Sequence, residues 1–148
     1  MPESDPIAGA DVVPSLVCAC VKAGLDAAWV QVAGELDVAT AAQLERTLRH
    51  AEQQARLVVV DLRELTFMDC VGVHRLVDAS ARARERGDRL VLLRGRPTID
   101  RLFTLTGTAA DVELSDTESA EPPVRAALEL ADAGRGHERP RDLAPPFA

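Results

Sequence analysis

Six consecutive residues, Leu57-Val58-Val59-Val60-Asp61-Leu62, constrain the fold more than any other part of the chain. Five of the six are apolar and they do not alternate with polar residues. That pattern reads as a strand covered on both sides. A connection over residues 63–68 follows, and then an amphipathic run from Val73 to Gly87. A covered strand that feeds a helix is the unit of an α/β sheet. Repeated along the chain, it implies a mostly parallel sheet with right-handed crossovers.

The flanking segments supply that repetition. Residues 15–22 alternate as a strand, Gly24-Leu25-Asp26 makes a turn, and Trp29 to Ala33 is the hairpin partner. This opening hairpin adds an antiparallel element to the sheet. Gly34-Glu35-Leu36-Asp37 interrupts the second strand and leads to a helix. Thr40 and Gln43 have the spacing of a capping box, and Ala41, Leu44, Leu48 and Ala51 share one face to about residue 54. Asp69 is placed to cap the next helix, with Val73, Leu76, Val77 and Ser80 inward. Arg82, Arg84 and Arg86 enrich its last turn in positive charge, and Gly87 suits a left-handed cap. Arg89 to Arg94 is the next strand. Pro97 opens a short helix that turns Ile99, Leu102 and Phe103 inward and ends at Gly107. Asp111 to Leu114 is a short edge strand, and Pro122-Pro123 open a last helix to about Leu130. The expected layout is a leader over 1–13, one domain over 14–132 and an Arg/Pro/Gly-rich tail over 133–148 without fixed structure. That makes about five strands and about four helices.

Composition narrows the function. A chain of 148 residues, 47% apolar, can bury one core, but aromatics are only 3% and tyrosine is absent. Val, Leu, Ile and Ala must fill the interior, with Trp29 the one large anchor. A formal charge of −7 argues against broad electrostatic binding to nucleic acid or anionic lipid. No apolar run approaches the roughly 20 residues of a membrane span, and no basic-then-apolar leader marks a signal peptide. A soluble cytoplasmic protein is expected. Cys18, Cys20 and Cys70 are odd in number and irregular in spacing, unlike a disulfide framework. Cys18 and Cys20 face the same way on a strand and cannot readily pair with each other. One residue separates them and no second ligand pair lies nearby, which opposes a zinc site. No metal is expected.

Four short motifs in fixed order carry a resemblance. They are Gly34-Glu35-Leu36-Asp37, the valine-rich strand ending in Asp61-Leu62, Phe67-Met68-Asp69-x-x-Gly72, and Leu105-Thr106-Gly107. Each alone is weak. Their order and spacing resemble the STAS domain of bacterial anti-sigma factor antagonists, over roughly residues 14–130. The resemblance implies a binding module with no catalytic residues and no cofactor. Its implied partner is an anti-sigma factor, often a kinase of the histidine-kinase-like ATPase type, whose capture frees a sigma factor. The implied contacts are the loop before the second helix and the helix itself, with the loop after the second strand. In this chain those are Gly34, Glu35, Asp37, Asp69, Cys70, Val71, Gly72, His74 and Arg75. Members of the family carry Asp-Ser-Ser-Gly at the helix start, and the second serine is phosphorylated. Here the four positions read Asp69, Cys70, Val71 and Gly72.

A helix N-terminus accommodates a phosphate, and that phosphate adds about −1.5 to −2 charges to a surface a partner must desolvate. Val71 has no oxygen to carry one. The readings left open are an antagonist not switched at this position, a scaffold STAS protein with another protein partner, and regulation moved elsewhere. Thr66 and Thr40 are the nearby hydroxyls. Cys70 is a possible redox residue, although a helix start favours its thiolate while Asp69 disfavours it. Glu35 and Asp37 read as turn and helix-entry acids rather than a catalytic pair. His74 falls on or beside the inward helix face and has no identifiable nucleophile or base beside it. The turn around Gly95 lacks the glycine spacing and lysine of a phosphate-binding loop. Oligomeric state is not legible.

Overall fold

The computed structural model describes residues 14–24, 26–118 and 120–137. Its elements are β1 (Leu16–Ala23), β2 (Ala27–Leu36), α1 (Ala41–Gln54), β3 (Leu57–Met68), α2 (Cys70–Arg86), β4 (Arg89–Leu93), α3 (Pro97–Leu105), a 3-10 turn (Ala109–Asp111), β5 (Leu114–Ser115) and α4 (Pro122–His137). The sheet order is β1-β2-β3-β4-β5. Only the β1–β2 pair is antiparallel. The α/β class, the opening hairpin and the mostly parallel sheet match the sequence expectation.

Each face of the sheet has its own core, because strand side chains alternate. On one face Val30, Val32, Val60, Leu62 and Leu92 meet Leu44 and Leu48 of α1, Val73 and Leu76 of α2, and Ile99 and Phe103 of α3. On the other, Trp29, Val59, Val91 and Leu93 are covered by Val124, Ala127, Leu128 and Ala131 of α4. The three crossover helices therefore share one side and α4 lies alone on the other. This two-sided cover is what the unbroken apolar run in β3 signalled.

Asp61 interrupts that run for a structural reason. It is 1% exposed and faces the α4 side. The Trp29 indole Nε1 donates to its Oδ2 at 3.2 Å, and Arg63 donates Nε to Oδ1 at 2.9 Å and Nη2 to Oδ2 at 2.8 Å. A buried carboxylate is tolerable only when paired and hydrogen-bonded in this way.

Five expectations need correction. β2 is not interrupted at Gly34; it runs from Ala27 to Leu36, with Gly34, Glu35 and Leu36 still paired to β3. β3 does not end at Leu62; it runs to Met68, so residues 63–68 are strand rather than connection. Beyond Leu62 the strand leaves the cover of α4, and its pairing with β2 slips between Gln31 and Ala33 and between Gly34 and Glu35. Polar residues and bulges there erased the period that would have revealed a strand. The capping box is absent: Thr40 makes no side-chain cap, and the Gln43 amide Nε2 donates instead to Leu16 O at 3.0 Å. The edge strand is Leu114–Ser115, because a 3-10 turn takes Ala109–Asp111. Finally, α4 reaches His137, past the expected end at Leu130 and into the segment read as tail. The leader over 1–13 and the rest of the tail lie outside the described residues.

Candidate docking face at the head of the second helix

β3 ends at Met68 and α2 begins at Cys70, so Asp69 alone makes the turn. Its backbone is extended, and its carboxylate Oδ1 accepts from Val71 N at 3.0 Å and Gly72 N at 3.2 Å. This is the cap expected from sequence. It occupies two of the amides that a helix start leaves without partners. Cys70 is exposed, Val71 half-buried and Gly72 buried. A Cβ on Gly72 would stand 2.7 Å from Met68 Cγ and 2.8 Å from Leu36 Cγ. Glycine is thus what lets α2 press against the ends of β2 and β3.

The β2–α1 loop is tied to the same edge. Glu35 pairs with Phe67 and Leu36 with Met68 in the parallel register. Asp69 N donates to Leu36 O at 3.1 Å. Gly34 has φ of +104°, and any Cβ there would run into the Ser15 carbonyl oxygen, which accepts from Glu35 N at 2.6 Å. Asp37 Oδ1 accepts from Ala39 N at 2.9 Å and Thr40 N at 3.2 Å. Glu35 and Asp37 therefore stand beside the α2 start. Asp37 serves as a turn acid.

The two candidate hydroxyls separate cleanly. Thr40 is 7% exposed; its Oγ1 donates to Glu35 O and accepts from Asp37 N, both at 2.9 Å. Thr66 is exposed, and its Oγ1 donates to Gly34 O at 3.0 Å.

His74 does not lie toward the core. It is exposed, and Gly72, Val73 and Leu76 take the inward positions. Arg75 is half-buried, with Nη1 at 3.8 Å from Glu45 Oε1 on α1. That oxygen is buried and has no hydrogen bond. The pair is the upper end of an ion-pair chain joining α1 to α2. Arg82 reaches Glu45 at 3.1 Å and Glu52 at 2.7 Å, and Arg86 reaches Glu52 at 3.4 Å.

One residue at this edge, Val38, had no place in the sequence reading, and Phe67 had one only as part of a motif. Val38 is 74% exposed in the β2–α1 loop, and Phe67 is 49% exposed next to the end of β3. Val38 stands out as an apolar residue in a loop, and Phe67 as one on an otherwise polar stretch of β3, a signal that periodicity does not capture.

All three cysteines are free. Burial pushes the Cys18 thiol up to about 12 and that of Cys20 to about 11, so neither offers a ready thiolate. Among the described residues no group of His, Cys, Asp or Glu could hold a metal ion, and no helix is long and apolar enough to cross a membrane.

This fold is that of a known domain class. The chain belongs to the STAS domain family, whose match spans residues 22–121. It is 33% identical over 88 residues to an anti-sigma-B factor antagonist of Listeria monocytogenes, covering 59% of this chain and 77% of that protein. A Staphylococcus aureus anti-sigma-B factor antagonist is 34% identical over 79 residues, covering 53% and 73%. Among solved structures, an anti-sigma factor antagonist from Mycobacterium paratuberculosis aligns with a TM-score of 0.60 at 23% identity, covering 82% of this chain and 99% of that one. The anti-sigma factor antagonist SpoIIAA in its unphosphorylated form gives a TM-score of 0.58 at 20% identity, with coverage of 82% and 99%. These last two speak for the fold.

Proposed function

We propose that this chain is an anti-sigma factor antagonist: it binds an anti-sigma factor in the cytoplasm and so frees a sigma factor for transcription. It acts by docking, with no catalytic step and no cofactor. The docking face is the Asp69–Arg75 segment with the Gly34–Asp37 loop. Docking is not switched by phosphorylation at residue 71.

The relatives of matching sequence carry the antagonist name, which supports the class. The observation that carries the distinctive part of the reading is Val71 itself. It lies at the α2 start with no hydroxyl, and the amides of Val71 and Gly72 are already engaged by Asp69. The usual place for a phosphoryl group therefore lacks the atom to attach it, and two of the amides that would receive it are already engaged.

The test is direct. The purified chain is added to a complex of a candidate anti-sigma factor with its sigma factor, and sigma release is measured. Release is expected, and Val71→Glu is expected to reduce it by placing a carboxylate at the contact. Incubation with a partner kinase and ATP is expected to leave residues 69–72 unmodified by mass spectrometry. Phosphate on Thr66 that weakens docking would move the switch there. Affinity that changes with redox state in the parent but not in Cys70→Ser would assign regulation to that thiol. If the protein captured from native cytoplasm lacks both an anti-sigma activity and a kinase-like ATPase domain, the scaffold reading replaces this one.

A further inference from the structure

We infer that Val38 and Phe67 are the apolar anchors of the docking face, and that they fit a protein surface with an apolar recess and a basic rim. The inference rests on the antagonist reading and specifies the partner's surface.

The placement follows from the sheet. Val38 lies two residues past the end of β2, and Phe67 lies one residue before the end of β3. These strands are neighbours, and Glu35 is paired with Phe67. Both residues therefore stand at the end of the sheet from which α2 starts; Leu36 and Met68 turn toward α2, and Glu35 and Phe67 turn to the opposite face. Val38 and Phe67 are 74% and 49% exposed, whereas the apolar residues just behind them, Leu36 and Met68, are 0% and 3% exposed. Projecting side chains on a rigid edge call for a concave complement, and interface energy concentrates in a few such anchors. The Asp69 N to Leu36 O bond and the bulged register hold this edge in place before any partner arrives. Little ordering cost is left to meet on binding.

The charge around the anchors selects the rim. Glu35 and Glu64 are exposed on the same strands, and neither forms an ion pair among the described residues. Arg63 chelates the buried Asp61 and lies within electrostatic reach of Glu64, and Arg75 faces Glu45. The edge thus presents exposed carboxylates near the apolar anchors, Glu35 without an ion pair among the described residues. A partner with lysines or arginines there gains association rate and discrimination.

The experiment titrates the parent and variants against each purified anti-sigma factor of the source organism, at low and high salt. Phe67→Ser is expected to weaken binding by about tenfold and Val38→Ser by about three- to tenfold. Leu105→Ser, equally exposed at the far end of α3, is expected to stay within about twofold. All three are surface changes, and an unchanged unfolding midpoint shows that each variant is folded. Raised salt is expected to slow association of the parent more than that of the Glu35→Gln/Glu64→Gln double variant. Parent-like binding by both serine variants overturns the anchors, while Val71→Glu still reports on the antagonist reading. Association of the parent that does not depend on salt overturns the basic rim. Failure of the parent to bind any of the anti-sigma factors overturns the antagonist reading and this inference together.

Discussion

A single missing β-carbon fixes how close α2 comes to the sheet. Alanine at Gly72 must displace Met68 or Leu36, both buried. Gly72→Ala is expected to cost about 1–3 kcal/mol, the usual range for overpacking, measured by urea unfolding. Asp69→Ala removes the cap from Val71 N and Gly72 N. About 1 kcal/mol of stability should go with it, and Asp69→Asn should retain most of that. Asp69 and Gly72 were readable from sequence because each has a backbone task that few residues can perform. The anchor role of Val38 was not readable. Exposure of one apolar side chain depends on the path of a loop, which no period encodes. By sequence His74 lies on or beside the inward stripe, at the surface or its boundary, and it is exposed: a small rotation of the helix decides between core and solvent there.

Elements read well from sequence where both sides are covered and poorly where cover ends. β3 illustrates both. Val58 to Leu62 lie between two helical layers and announce themselves, whereas Arg63 to Phe67 extend past α4 and look like loop. Asp61 lies at the border of these regimes. Asp61→Ala removes the acceptor that Arg63 and the Trp29 indole share. The expected loss is about 2–4 kcal/mol, below the fully buried range because Arg63 reaches solvent. Pairing it with Arg63→Met should recover part of the loss, and urea unfolding of the single and double variants gives the coupling. Between α1 and α2, Glu52 holds both Arg82 and Arg86. Glu52→Gln should destabilise by about 1–2 kcal/mol. That cost should change little with salt, because the Glu52 side chain is only 5% exposed.

For the molecule as a whole, the thiols make a pH prediction with a definite sign. Burial raises Cys18 to about 12 and Cys20 to about 11 from an ordinary 9.0. Above pH 9.0 an unfolded chain ionises these thiols while the folded chain keeps them neutral. Their contribution is therefore full below that pH and shrinks as pH climbs toward 11 and 12. The urea midpoint should fall across this window, and less steeply in Cys18→Ala. Under native conditions a thiol reagent should label Cys70 first, with Cys18 following only on unfolding. The one tryptophan has a consequence of its own. Trp29 is 0% exposed, roofed by α4 and pinned to Asp61. Its emission is a built-in gauge of whether that roof is closed, on the side of the sheet away from the three crossover helices. Any event that lifts α4 would redshift the fluorescence without a dye, whatever is happening at the opposite layer.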